Sequence, residues 1–221
     1  MRLKTCLLTV VVLSTFSISF ATINEKLSLS SFSCDKVLHN KYMDICYDYK
    51  YKSALAVSYS ITKENLYKKK LSRDKVKFHA DNRLLSKDRV SPYSYKKTGF
   101  DRGHLAPNGS FNYDKDAQYS TFTMANMTPQ YPKLNRYAWS KAERYSRVIA
   151  TKLGNVNVLD IVYFYKTPKT LKSGQAIPIA FAKVISNKND DFQKCFYYKN
   201  IKNPDVKLKA HNINCSEVKR S

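Results

Sequence analysis

The stretch TGFDRGHLAPNGSF, Thr98 to Phe111, sets Asp101, Arg102, Gly103 and His104 in a row. Histidine is the side chain whose unperturbed pKa lets it take or give a proton near neutrality. Gly99, Pro107 and Gly109 surround the tetrad, so the segment is expected to be loop, or strand running into loop. Further along, Asn135, Trp139, Glu143 and Arg147 fall at steps of four. On a helix each step of four turns a side chain by about 40°, so these residues form one slowly rotating stripe. Taken alone, the stripe is a solvated face with an ordinary Glu143–Arg147 pair, worth about 0.2–0.5 kcal/mol. It becomes a reaction site only if something faces it.

The elements that must position these groups are legible in outline. PKLNRYAWSKAERYSRVIATKLG, from Pro132 to Gly154, has a proline near its start, good helix formers through its middle, and Lys152 then Gly154 at its end. It is the strongest helix signal in the chain. SALAVSYSIT (53–62), NVNVLDIVYFY, IPIAFAKVIS and FQKCFYYKN have the alternation or β-branched and aromatic content of strands. DKVKFHAD predicts a short strand, and YDKDAQYSTFTMAN a short helix. The mixture implies an α+β fold with a mainly antiparallel sheet. Repeats, low-complexity runs and Gly/Ser linkers are absent, which predicts a single domain over residues 22–221.

The start of the chain is read separately. MRLKTCLLTVVVLSTFSISFAT has Arg2 and Lys4, an apolar run, and then Ser19-Phe20-Ala21. That order is a secretory signal peptide over residues 1–21, cut after Ala21, which places the protein outside the cell or in a periplasm with no lasting membrane insertion. Removal takes two basic residues and no acid, leaving 37 Lys and Arg against 17 Asp and Glu, a formal charge of +20. Such a balance favours polyanionic partners. The lysines are scattered, which suits a folded basic domain better than a disordered arm. Cys6 leaves with the signal, and Cys34, Cys46, Cys195 and Cys215 remain. In an exported chain an even number implies disulfides. Of the three pairings, Cys34–Cys46 with Cys195–Cys215 is preferred because it pins the two ends. No C-x-x-C occurs, so a zinc knuckle is not expected.

DRGH in a Gly/Pro-rich loop, followed by NMTPQYPKLNRYAWSKAE, resembles the DNA/RNA non-specific endonucleases, nucleases indifferent to the sugar and built on a ββα-metal site. The likeness covers about fifty residues, 98 to 147, and its specificity lies in the spacing of DRGH, MTPQ, LN, W and E. The resemblance implies a role for each matching position. His104 aligns with the general base, and Asn135 with the single protein ligand of a divalent metal, usually Mg²⁺. Glu143 aligns with a carboxylate holding that metal's water shell, and Arg147 with a phosphate-stabilising arginine. Asp101 and Arg102 align with the supporting acid and base of the motif, and Asn126 with an asparagine beside the histidine. DNA, and RNA with it, is the implied substrate.

The chemistry is coherent from below. A hard cation that keeps several waters needs few protein ligands, and Mn²⁺ suits the same oxygen site. Arginine presents a fork that matches phosphate. One departure stands out. The family has an upstream arginine that touches phosphate, whereas SRDKVKFHAD offers Arg73, Lys75 and Lys77 with none cleanly in register. Asn108 and Asn126 head formal glycosylation sequons, but a glycan at either would obstruct the cleft and none is expected. The competing function is a cationic exported protein that coats nucleic acid without cutting it. Such a binder has no use for His104, Asn135 and Glu143 in this register.

Overall fold

The computed structural model describes residues 27–187 and 191–219. The proposed signal peptide and Cys6 lie outside the described residues. Nine strands occur among them: β1 (Lys36–His39), β2 (Met43–Asp48), β3 (Ser53–Thr62), β4 (Asp101–His104), β5 (Met127–Gln130), β6 (Asn155–Tyr163), β7 (Ala180–Ser186), β8 (Gln193–Lys199) and β9 (Asn212–Ile213). Seven of them form one sheet in the order β1-β2-β3-β6-β7-β8-β9. Every neighbouring pair in it is antiparallel. The α+β class and the mainly antiparallel sheet expected from the sequence are therefore present. β4 and β5 stand apart as a two-stranded ribbon.

The short helices are α1 (Lys63–Tyr67), α2 (Asn108–Phe111) and α3 (Lys115–Thr121). Asp114 caps α3 by accepting from the Asp116 and Ala117 amides, which satisfies donors that a helix start leaves free. The long helix opens with a π-type segment, Leu134–Trp139, and continues as α4 (Ser140–Leu153). It ends at Gly154 with φ +89°, a conformation that favours glycine at helix ends.

Both faces of the central sheet are covered. On one face, Trp139, Ala142, Ile149 and Ala150 of the long helix pack with Val156, Val158, Phe181 and Ile185. On the other, Leu55, Leu159, Ala182 and Val184 pack with Phe32 and Val218 from the chain ends. Two disulfides, Cys34–Cys46 and Cys195–Cys215, tie those ends to β2 and β8, the pairing preferred from the sequence. One strand expected from the sequence does not form: DKVKFHAD is irregular, with only His79 bridging to Thr123. The Phe78 ring packs between Phe122 and the Arg102 guanidinium, so the backbone there follows a side-chain stack rather than a strand ladder.

Candidate active site

The ribbon and the long helix are riveted to each other at both ends of β4. At one end Asn135 donates from Nδ2 to Asp101 Oδ2 at 2.9 Å. At the other, Trp139 donates from Nε1 to the His104 carbonyl at 3.0 Å. Trp139 is completely buried, so it leaves the exposed stripe that the four-residue steps suggested and acts as the weld. The π-type winding between Asn135 and Trp139 adds a residue to that turn and resets the face on which Asn135 emerges, a local distortion frequent at functional sites.

His104 is 8% exposed. Its ring lies edge-on to Phe122, at 5.2 Å between centroids, and tilted against Phe78. Nε2 is sealed and has no hydrogen-bond partner among the described residues. Burial, and next the charge of Arg73, lower its pKa to about 3. The imidazole is therefore neutral at any ordinary pH, and a weak base until a negative group stabilises its charged form. The loop behind it is locked by Asn126, which is wholly buried. Its Oδ1 accepts from the Ala106 amide, and its Nδ2 donates to the carbonyls of Ala106 and Thr121, each at 2.9 Å. Asn126 thus holds the histidine loop and has no capacity left for substrate. The same burial leaves no room for a glycan.

Gly103 has a specific reason. A Cβ there would lie 2.3 Å from Cδ of Gln130, a side chain that is itself fully buried. The glycine thus admits the side chain of Gln130 from the facing strand. Gly103→Ala should destabilise the protein by about 1–3 kcal/mol through overpacking, seen as a lower urea midpoint. Gly103→Ala with Gln130→Ala should regain most of it, and a single variant as stable as wild type would contradict the packing.

On the helix, burial pushes Glu143 up to about 7, against the pull of Lys183, Arg147 and Arg73. Arg147 fits against Gly109, whose absent side chain leaves the guanidinium space. Its Nη1 is sealed and has no partner among the described residues. Asp101 receives two 2.8 Å bonds from Arg136 as well as that from Asn135. Burial alone would raise its pKa, but these donors override it and hold the carboxyl below its usual range. Arg102 donates to the Pro92 carbonyl at 3.0 Å and stacks over Phe78, the ring that also lies against His104. Asp101, Arg102 and Asn126 are therefore positioning residues.

One choice is open in the sequence and one feature is invisible there. Arg73 separates itself from Lys75 and Lys77. Its guanidinium lies over the Phe122 ring, the ring that abuts His104, and its charge acts on both His104 and Glu143. The second is a sealed ion pair beneath Trp139. Lys183, with no exposed surface, donates to both oxygens of Asp160 at 2.5 and 2.8 Å and to the Tyr59 hydroxyl at 3.1 Å. Its ammonium sits 4.4 Å from the Trp139 ring centroid. Beside Asn135 a cleft of about 920 Å³ opens between Arg73, Tyr93, Arg102 and Arg136.

Among the described residues no group of three or more His, Cys, Asp or Glu converges in a way that would hold a metal. The sequence profile of the DNA/RNA non-specific endonucleases matches residues 21–220. The chain belongs to this family. Bovine mitochondrial endonuclease G is 32% identical over 154 residues, 64% of this chain and 50% of the relative. A mitochondrial nuclease 1 from Schizosaccharomyces pombe is 26% identical over 166 residues, 68% of this chain and 51% of the relative. The matches span about half the length of these relatives. A crystal structure of an EndoG/EndoGI complex superposes with a TM-score of 0.74, 22% identity, and 83% and 82% of the two chains covered. That likeness speaks to the shared fold of this endonuclease-family chain.

Proposed function

We propose that this endonuclease-family protein hydrolyses phosphodiester bonds in DNA and RNA with little regard to sequence, as an exported enzyme using a divalent cation. The carrying observations are the sealed Arg147 Nη1, unpartnered among the described residues and packed against Gly109 in the segment after His104, and the His104 Nε2, likewise without a partner. A guanidinium N–H left without a partner is costly unless an anion completes it. Phosphate supplies that anion.

His104 takes the proton of the attacking water as its oxygen bonds to phosphorus and the P–O bond to the leaving sugar breaks. Arg147 and Arg73 hold the non-bridging oxygens. The negative phosphate raises the His104 pKa from its depressed value, which strengthens the base only when substrate is in place. Asn135 fits a cation ligand for a local reason: Asp101 engages its Nδ2, which leaves Oδ1 uncommitted. Asn135 would hold a hydrated Mg²⁺, or Mn²⁺, directly, and Glu143 would hold it through water. Bound there, the ion supplies Lewis acidity to the phosphate and stabilises the leaving oxygen. Contacts limited to phosphate carry no base readout, in keeping with low sequence specificity. The apolar N-terminal run and the two disulfides support export, with cleavage after Ala21. Among the described residues no helix is long and apolar enough to cross a membrane.

The test is parallel incubation of labelled DNA and RNA with purified protein and Mg²⁺ or Mn²⁺. Both should be cut internally, and EDTA should stop the reaction. Binding without cleavage under every metal would favour the coating protein instead.

A further inference from the structure

We propose that the cleft beside Asn135 binds an unpaired nucleobase next to the scissile phosphate, stacking it on Tyr93, so that the protein prefers single-stranded or locally opened nucleic acid. This inference rests on the nuclease reading above.

The cleft combines the two elements that sequence-tolerant strand binding uses, cations for the backbone and aromatic faces for bases. Arg73 and Lys77 from one segment and Lys96 from another reach it, and its one lining acid, Asp101, is already neutralised by Arg136. Tyr93 also lines it and is 85% exposed. None of the described aromatic rings stacks on it. A large aromatic so exposed has a free face. Its backbone is nonetheless rigid. Tyr93 sits in a 3₁₀ turn, Pro92–Tyr95, started by proline and capped by Ser91, whose hydroxyl accepts from the Tyr93 amide. Arg102 clamps that turn through the Pro92 carbonyl, and its own guanidinium is fixed over Phe78 at 4.4 Å. The turn that carries the ring is thus held, so binding has to fix only the side chain's own rotation.

The volume, about 920 Å³, lies within the ~300–1,000 Å³ range of pockets that enclose small molecules. A concavity of this kind takes a base and its sugar-phosphate. In a duplex both faces of each base are covered by neighbouring pairs, so a base can stack on Tyr93 only once unstacked. The cleft also reaches Asn135 and Asp101, which places the stacked nucleotide adjacent to the proposed cation position.

The test is fluorescence anisotropy of a labelled single-stranded oligonucleotide and of the same sequence as duplex, in EDTA so that nothing is cut. Wild type should bind the single strand more tightly. Tyr93→Ala should weaken that binding about 5- to 150-fold, the range base–aromatic stacking spans. Tyr93→Trp should restore it, and duplex binding should change less than about 2-fold. Unchanged single-strand affinity in Tyr93→Ala would overturn the proposal. So would an equal loss on duplex, since a general backbone contact would then explain it. A separate Mg²⁺ cleavage assay reports on the nuclease reading itself, so either idea can fail without the other.

Discussion

His104→Ala should lower cleavage of DNA by about 10²–10⁴-fold, the usual contribution of a positioned general base, while leaving oligonucleotide binding nearly intact. No described histidine can substitute. His79 stacks on Tyr119, His211 stacks on Tyr198 and hydrogen-bonds the backbone, and His39 pairs with Asp44. Purified variant and wild type, compared for cleavage rate and for binding in EDTA, separate a lost base from a lost fold. A variant that cuts at more than a tenth of the wild-type rate would sink the assignment. The same substitution carries a pH signature. His104 is neutral in the folded protein down to about pH 3, but in the unfolded chain it takes a proton below about 6.5. Between those values the unfolded state binds more protons, so wild-type stability falls as pH drops through that window. His104→Ala should lose less stability than wild type between pH 7 and pH 4, read as the shift in urea midpoint.

The second large effect is on stability. Lys183→Ala should cost about 3–5 kcal/mol, because Asp160 must then either remain an uncompensated buried charge or take up a proton at neutral pH. Lys183 and Asp160 are both wholly inaccessible. Tyr59 accepts from Lys183 and donates to Asp160 Oδ2 at 3.1 Å, so the three groups satisfy one another. Burial already pushes the Asp160 carboxyl up to about 6 against the pull of Lys183. Without the lysine, its proton would bind still more tightly. Replacing both charges, Lys183→Met with Asp160→Leu, should recover most of the loss, since an apolar pair of similar volume is often neutral or better. Urea unfolding at pH 7 of wild type, the single variant and the double variant measures this. A single variant within 1 kcal/mol of wild type would show the pair to be unimportant. Because Trp139 lies on the Lys183 ammonium and also holds the His104 carbonyl, the single variant should lose activity beyond its loss of folded protein.

Much of this was legible in the residues. The stretch 53–62 was read as a strand and is β3, residue for residue, because its β-branched and aromatic content suits a pleated, covered surface. The long helix is likewise visible, through Pro132 and Gly154, and an even cysteine count implies disulfides, with the observed pairing the one that pins the two ends. β1 and β2 were not assigned. Their signal is weak because β1 is short and largely exposed, and β2 shifts register between Cys46 and Tyr47, which breaks alternation. Lys183 was hidden for a different reason. In AFAKVIS a lysine suggests a solvated face, yet β7 is buried along its whole length, with the long helix on one side and the chain ends on the other. That double covering is a tertiary fact which no seven-residue window contains. Arg73 could not be told from Lys75 and Lys77 because their segment has no regular period. Its place is set by the Phe122 ring.

The central claim is that His104 and a cation on Asn135 serve one phosphate. Anomalous diffraction from His104→Ala crystals grown with Mn²⁺ and an uncut oligonucleotide tests it most directly. The account predicts manganese bound to Asn135 Oδ1, sharing a phosphate whose other side faces the gap left by the imidazole. Manganese seated elsewhere, or a phosphate held away from that gap, would contradict it.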